Sequence, residues 1–195
     1  MSRDNKARKG KKMKVNVSKL VAFLDENADI LHVSRYHRED FRTHCLLVIG
    51  AMQEQYKAGN VSEEAMVAAF LHDIAKPRTA ALNKRNEACF YGHEQVTDEE
   101  LIEFLDPSYA GFDKVAALIR AHMLPLGIGE NTPEPFRSQN QQKLNDILGN
   151  WDQQFEKDLM ILSECDLRSS IRSDEDLVIA KKEAESIRNE LLSNA

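Results

Sequence analysis

The predicted fold class follows first from residues 62–77, which read SEEAMVAAFLHDIAKP. Ser62 is followed by two glutamates, and this order is typical of a helix N-cap and an acidic first turn. Apolar residues then recur at helical spacing, and Pro77 is expected to end the helix, because the residue before a proline disfavours helical geometry. The segment therefore predicts a helix that carries the adjacent residues His72 and Asp73 near its C-terminal end.

The same periodicity recurs on both sides of this segment, with Gly and Pro mostly between the periodic stretches. A first helix is expected to begin at Ser18. Further helices are predicted over residues 39–57, 95–105, 112–122, 139–148, 155–168 and 174–192. The last three have N-cap candidates in Ser138, Asp152 and Ser173. The pattern predicts an all-α, compact helical bundle.

Two stretches depart from helical periodicity. Residues 78–92 are expected to be irregular, with a short strand or hairpin arm near residues 88–91. Residues 124–136 contain three prolines and two glycines, so a long loop is predicted there. The length of 195 residues and the 42% hydrophobic content fit a single domain, which we expect to cover residues 15–195.

Composition also restricts the location and partners of the protein. The sequence has no apolar run of 18 residues, so no membrane span is expected. Three widely spaced cysteines favour reduced thiols in a cytoplasmic protein over a disulfide framework. Residues 1–14 contain seven Lys or Arg against one acid, so the net charge of −6 divides into a basic arm and a body of −12. We expect a disordered arm that either keeps the protein in solution or contacts nucleic acid. The sequence leaves the oligomeric state open.

Histidines and aspartates form an ordered set along the chain. All six histidines fall between residues 32 and 122, and four of them form an ordered pattern with two aspartates. Imidazole and carboxylate ligands together suit one or two divalent transition metal ions, Mn, Ni, Co, Fe or Zn. The adjacent His72 and Asp73 would lie about 100° apart on a helix, so both can lean toward a metal beside it. The candidate ligands are His44, His72, Asp73, His93, His122 and Asp166.

Five short segments resemble one known family. They read YHREDFRTH (36–44), LHDIAKP (71–77), FYGHE (90–94), RAHM (120–123) and CDLR (165–168). In this order they resemble the HD-domain superfamily of phosphohydrolases, in particular the HD domain of bacterial tRNA nucleotidyltransferases and of RNA-end-healing HD phosphatases. The resemblance covers residues 30–170. It implies that one metal is held by His44, His72, Asp73 and Asp166. His93 and His122 would hold a second metal bridged by Asp73, or contact phosphate directly.

Basic residues near these segments are candidates for phosphate binding. Lys76 lies four residues after His72, so on a continuous helix it would project from nearly the same face. Residues 76–85 contain four basic residues and no acid, which would attract an anionic substrate toward an acidic body. Asp73 and Lys76 are the predicted catalytic residues. The predicted substrate-binding residues are Lys76, Arg85, Arg120 and Arg168.

The resemblance implies hydrolysis of a phosphomonoester or cyclic phosphodiester on a nucleotide or RNA end by a metal-activated water. Three alternatives remain open on the sequence alone. The same ligand order occurs in di-iron HD oxygenases, and a related hydrolase could remove triphosphate from a deoxynucleotide. A nucleic-acid-binding module with a structural metal would also carry these residues.

Overall fold

The computed structural model describes residues 14–30, 34 and 37–195. In this part of the chain nearly all regular structure is helical, and the one sheet is a two-stranded hairpin. The helices are α1 (Val17–Glu26), α2 (Phe41–Lys57), α3 (Glu63–Leu71), α4 (Lys76–Thr79), α5 (Asp98–Ile102), α6 (Phe112–Ala121), α7 (Phe136–Leu148), α8 (Gln153–Arg168) and α9 (Asp174–Ser193). The prediction of an all-α bundle is therefore confirmed.

Helix α2 lies at the centre of the bundle. It packs against α1, α3, α8 and α9, and α3 packs in turn against α6 and α8. Along α2 the buried residues run almost without interruption from Phe41 to Ile49, and Met52 is also fully enclosed. A helix that is apolar on most sides must be surrounded by other elements, so α2 can carry a buried site residue on any face.

Most predicted helix starts agree with the observed capping hydrogen bonds. The side chains of Asp40, Ser62, Asp152 and Ser173 each accept a hydrogen bond from the backbone N–H three residues later. Ser138 is an exception, because α7 begins earlier, at Phe136. The hydroxyl of Ser138 instead donates to Glu134 at 2.6 Å, so the prediction that it caps this helix is wrong.

The prediction that one helix continues to Pro77 is also wrong. Helix α3 ends at Leu71, and residues 72–75 form a tight turn before α4 begins. In a continuous α-helix the N–H of residue 77 would bond to the carbonyl of Asp73, but proline has no N–H. The carbonyl of Asp73 accepts from the N–H of Lys76 at 2.9 Å instead. Pro77 then lies in the first turn of α4, where a missing N–H costs nothing.

The irregular region contains the expected hairpin. Strands β1 (Ala81–Leu82) and β2 (Ala88–Cys89) pair antiparallel, and Asn86 has a positive φ of 61° in the turn between them. The long loop before α7 contains one 3₁₀ turn, Leu126–Ile128. None of the helices in the described part of the chain is long and apolar enough to span a bilayer.

The predicted basic arm, residues 1–14, falls almost entirely outside the described residues. Lys14 is the exception, and it is attached to the body. Its carbonyl accepts a hydrogen bond from the N–H of Asp106 at 3.2 Å, and the next residue, Val15, forms a β-bridge with Leu105. Lys14 is therefore attached to the helical domain, one residue before the predicted boundary.

Candidate metal centre

The six predicted ligands come from five parts of the fold and meet in the interior. Helix α2 supplies His44, and the turn after α3 supplies His72 and Asp73. His93 comes from the segment after β2, His122 from the C-terminal end of α6, and Asp166 from helix α8. All six are buried, with exposed fractions between 0% and 7%. The structure thus brings together His44, His72, Asp73, His93, His122 and Asp166.

The six side chains form two adjoining groups. In the first, one ligand atom from each of His44, His72 and Asp166 lies within 4.8 Å of the others. The second group has the same property and contains Asp73, His93 and His122. The closest contact between candidate ligand atoms joins His44 Nε2 to Asp166 Oδ1 at 2.9 Å.

Asp73 stands between the two groups. Its Oδ2 lies 3.2 Å from Nε2 of His72 and 3.5 Å from Nε2 of His44. Its Oδ1 lies 3.4 Å from Nε2 of His93. The two oxygens of one carboxylate therefore face different groups, which is the arrangement of a ligand that bridges two metal ions.

Three of the histidines are oriented by the same local hydrogen bond. In His72, His93 and His122 the ring Nδ1 lies 2.9, 2.7 and 2.6 Å from the backbone carbonyl oxygen three residues earlier. A carbonyl oxygen only accepts, so Nδ1 carries a proton, and in the neutral ring Nε2 presents a lone pair. Metal-binding histidines commonly have this arrangement, in which the hydrogen bond fixes the tautomer and aims the other nitrogen.

The lone pairs lack partners in the described part of the chain. Nε2 of His72, His93 and His122 is buried in each case, without a hydrogen bond from the described residues. Two of these nitrogens face an oxygen of Asp73, so when the rings are neutral a lone pair meets a negative charge. A buried polar atom without a partner is costly, and divalent cations held in the two groups would satisfy these atoms. The donor set therefore fits a bound metal.

The electrostatics of the centre favour the deprotonated forms of Asp73 and His122. Burial raises the pKa of Asp73, but the nearby His72 and Lys76 outweigh this and hold it well below its usual range. Burial lowers the pKa of His122 to about 4, so its imidazole is neutral at pH 7. Carboxylate and neutral imidazole are the forms that bind a metal.

His44 differs from the other histidines because both of its ring nitrogens face carboxylates. Nε2 faces Asp166, and Nδ1 lies 3.3 Å from Oε1 of Glu39. Burial and the charge of Lys76 lower the pKa of His44, but hydrogen bonds to Asp166 and Glu39 outweigh them and raise it to about 9. In the metal-free protein this ring keeps a proton that a metal on Nε2 would displace.

Glu39 is a residue of the site that sequence analysis missed. Its side chain is fully buried, and Oε1 accepts from Nδ1 of His37 at 2.7 Å. Oε2 accepts from the backbone N–H groups of Arg38 and Ile171 at 3.0 and 2.9 Å. In the sequence, Glu39 lies five residues before His44, at the start of the helix predicted over residues 39–57. Without the position of Ile171, however, nothing distinguished it from a solvent-exposed acid.

Lys76 lies inside the centre rather than at its rim. It is 5% exposed, its Nζ lies 2.6 Å from Oδ2 of Asp73, and the same nitrogen lies 5.3 Å from the centroid of the Phe90 ring. The predicted approach of Lys76 toward His72 and Asp73 is therefore observed, although the chain brings it there through a turn and not along one helix face. The ion pair raises the pKa of Lys76 although burial lowers it.

The predicted arginines lie in three different places. Arg120 lines a cleft beside His93, but its guanidinium is bound to the carbonyl of Val96 and to Asp98 at 3.0 and 2.6 Å. Arg85 is exposed in the hairpin turn. Arg168 follows Asp166 by two positions on α8, so it points to another side of the helix. It pairs with Glu164 at 2.5 Å, and the structure does not bring it to the centre.

Comparison with known proteins gives one match. Residues 41–169 match the family model described as the HD domain, and this segment contains all six candidate ligands. Searches of curated proteins and of solved structures gave no significant match. The matched segment covers 129 of 195 residues. The chain therefore belongs to the HD-domain family, and this membership supports a metal-dependent hydrolase.

Proposed function

We propose that the chain is a phosphohydrolase that acts on a phosphomonoester or cyclic phosphodiester of a nucleotide or an RNA end. One observation carries this proposal. A buried lysine, Lys76, places its ammonium group 2.6 Å from Asp73, in the middle of the candidate ligands. A metal centre with an additional fixed cation suits an anion with several oxygens, and phosphate esters fit that description.

Six residues of the centre would hold metal, and Lys76 would bind the phosphate. The metal would be held by His44, His72, Asp73 and Asp166, with His93 and His122 completing a second position that shares Asp73. When bound there, a divalent cation supplies hydroxide at neutral pH and neutralises the charge of phosphate oxygens. Lys76 donates hydrogen bonds to a phosphate oxygen from its place beside Asp73. Burial of the surrounding side chains strengthens these interactions because little water screens them.

A second candidate function has a specific observation in its favour. Asp73 faces both ligand groups, so the centre has the shared carboxylate that a pair of iron ions also requires. A di-iron oxygenase is therefore the alternative to hydrolysis. Removal of triphosphate from a deoxynucleotide is a third reaction compatible with the same ligands, and only its product differs from that of a phosphatase.

The test is a screen of metals against substrates. The protein is stripped with a chelator and reloaded with Mn²⁺, Fe²⁺, Co²⁺, Ni²⁺ or Zn²⁺. Each form is offered p-nitrophenyl esters, 2′- and 3′-nucleotides, cyclic nucleotides and deoxynucleoside triphosphates. Release of inorganic phosphate, or opening of a cyclic ester, is the expected result. Release of triphosphate, or oxygen consumption with iron alone, would replace the proposal by one of the two alternatives.

A matched pair of variants ties any turnover to the centre. Asp73→Asn should abolish hydrolysis with every metal, because it removes the charge shared by both ligand groups. Asp113→Asn, at an exposed aspartate on α6, should keep wild-type turnover. Wild-type activity in Asp73→Asn would show that the reaction takes place elsewhere.

A further inference from the structure

Ser163 is a buried serine of helix α8 that lies outside the two ligand groups. It is 2% exposed and precedes Asp166 by three positions. A serine inside a helix usually faces solvent or bonds to the carbonyl of its own helix four residues earlier. Here Oγ donates to another part of the fold, the backbone carbonyl of His122, at 2.5 Å. The partner of this hydroxyl is therefore the main chain of a candidate ligand.

The carbonyl of His122 lies at the C-terminal end of α6, where backbone acceptors lack donors. Helix α6 ends at Ala121, and the last carbonyl groups of a helix have no intrahelical N–H partner. In the turn that follows, the residue three positions after His122 is Pro125, which has no N–H to donate. His122 is fully buried, so bulk water does not reach it. Ser163 supplies a donor from α8, and this bond ties the end of α6 to a neighbouring helix.

The hydrogen bond from Ser163 connects the two ligand groups of the centre. Asp166 belongs to the first group and His122 to the second. Residues three positions apart lie on one side of a helix, so Ser163 and Asp166 share a side of α8. The ring of His122 is fixed to its own turn, because Nδ1 donates to the carbonyl of Ile119 at 2.6 Å. A shift of the His122 backbone relative to α8 would therefore carry Nε2 away from its place in the centre.

The ring of His122 lies where the two groups adjoin. Its centroid is 5.6 Å from that of His72, in the first group, and 5.3 Å from that of His93, in the second. Metal–nitrogen bonds are about 2.0–2.1 Å long and tolerate little displacement. The separation of two metal positions at this boundary therefore depends on how firmly the end of α6 is held.

We propose that Ser163 is a positioning residue that fixes the second metal position at its distance from the first. The inference rests on the proposed function in one respect, the use of two metal positions that share Asp73. Without the hydroxyl, the end of α6 shifts and His122 no longer completes the second position. The first position keeps its ligands, because none of them is held by this hydrogen bond.

The test is a titration of the metal-free, full-length protein with Mn²⁺, followed by calorimetry and by electron paramagnetic resonance. Two Mn²⁺ ions that share a carboxylate are magnetically coupled, so their spectrum differs from that of an isolated ion. The wild type should bind two ions and give the coupled spectrum. Ser163→Ala should bind the first ion with unchanged affinity and the second about 10- to 100-fold more weakly. At a concentration where the wild type is coupled, this variant should give the spectrum of an isolated ion.

A matched pair of variants separates the hydroxyl from the volume of the side chain. Threonine and valine have nearly the same shape, and only threonine can donate a hydrogen bond. Ser163→Thr should therefore bind the second ion more tightly than Ser163→Val. Ser193→Ala is the control, at an exposed serine of α9 whose hydroxyl bonds to the carbonyl of Asn189 in its own helix at 2.8 Å. It should bind both ions as the wild type does.

Equal weakening of both ions in Ser163→Ala would overturn the proposal, because it would mean that the residue only supports the fold. Equal affinities in Ser163→Thr and Ser163→Val would exclude the hydroxyl as the cause. A wild type that binds a single ion would also overturn the inference, yet it would leave the phosphohydrolase function standing, since turnover is measured separately. Selective loss of the second ion together with no hydrolysis of any ester would sustain the positioning role and overturn the hydrolase reaction alone.

Discussion

Glu39 connects the candidate ligand His44 with the segment that follows helix α8. It faces the ring of His44 at 3.3 Å and accepts from the N–H of Ile171, which follows the helix that carries Asp166. A backbone hydrogen bond joins the same two segments, because the N–H of Arg38 donates to the carbonyl of Ile171 at 2.8 Å. The position of His44 and the end of α8 therefore depend on the same side chain.

Replacing Glu39 by glutamine should weaken metal binding. The substitution exchanges one acceptor oxygen for an NH₂ group, so Glu39→Gln loses part of the support that orients His44. Removing such a partner of a metal-binding histidine typically lowers metal affinity by about 10- to 100-fold. The measurement is a Co²⁺ or Zn²⁺ titration in competition with a chelator, which needs no knowledge of the substrate.

The control for this prediction is Glu54→Gln. Glu54 is an exposed carboxylate on α2 that pairs with Lys57 at 2.8 Å, so its loss should leave metal affinity unchanged. Equal affinities for the wild type and Glu39→Gln would mean that Glu39 only holds the backbone of residues 38 and 171 in place.

Lys76 balances the charge of Asp73 when no metal is present. Lys76→Met should therefore leave a buried carboxylate without its cation and lower the free energy of unfolding of the metal-free protein by about 3–5 kcal/mol. A bound metal supplies the missing positive charge, so the deficit should shrink on loading. The measurement is urea unfolding with and without Mn²⁺, with Lys157→Met, at an exposed lysine of α8, as the control. A deficit that metal leaves unchanged would contradict this role.

At the scale of elements, both α3 and α6 end just before a histidine of the centre and shortly before a proline. After α6 the N–H of Leu124 bonds to the carbonyl of Ala121 at 2.9 Å, because Pro125 cannot donate to it. Before Pro77, in the same way, the N–H of Lys76 bonds to the carbonyl of Asp73. Each helix therefore tightens into a turn that places a histidine ring across its C-terminal end, where Nδ1 reaches the carbonyl three residues back.

Helix α1 is attached to the bundle by an ion-pair network. Asp25 accepts from Arg188 of α9 at 2.5 and 3.0 Å and from Arg42 of α2 at 3.1 Å. The hydrogen bond from Arg188 is the main reason that the pKa of Asp25 lies below its usual value; burial opposes this, and Arg42 adds to it. The network joins the first and last helices in the described part of the chain.

Asp25→Asn should lower the free energy of unfolding by about 1–2 kcal/mol at neutral pH. A carboxylate with a lowered folded-state pKa contributes stability above its unfolded pKa, near 3.8, and loses it as the pH falls through the folded-state value. The difference between wild type and variant should therefore disappear in strong acid. Urea unfolding at several pH values measures it, with the exposed Glu183→Gln on α9 as control. A difference that persists after Asp25 is protonated would refute the ionic explanation.

At the scale of the molecule, nucleic-acid binding by the basic N-terminal residues remains a prediction. Removing residues 1–13, and not Lys14, which is attached to the body, should leave hydrolysis of a small substrate unchanged and reduce affinity for RNA or DNA. The six basic residues in this segment should also steepen the salt dependence of binding, because each phosphate they neutralise releases counterions. Fluorescence anisotropy at two salt concentrations compares the full-length and truncated proteins. Equal affinities and equal salt slopes would exclude the role in nucleic-acid binding.

The sequence by itself determined the helical class, most helix starts and the chemical types of the ligands. Periodicity reports which face of a helix is apolar, and capping residues such as Ser62 and Asp152 act on backbone groups three positions away. Both signals are local, so a reader of the sequence can recover them. The ordered histidines and aspartates also predicted a metal site, and the family match covers the segment that contains them.

Only the tertiary structure decided how these residues meet. His44 and Asp166 are 122 positions apart, and their contact at 2.9 Å depends on how α2 packs against α8. The same packing buries Glu39 beside His44 and turns Arg168 away, although both lie next to recognisable motifs. Sequence spacing specifies direction around one helix axis, whereas contact between helices depends on the volumes and orientations of all the side chains packed between them.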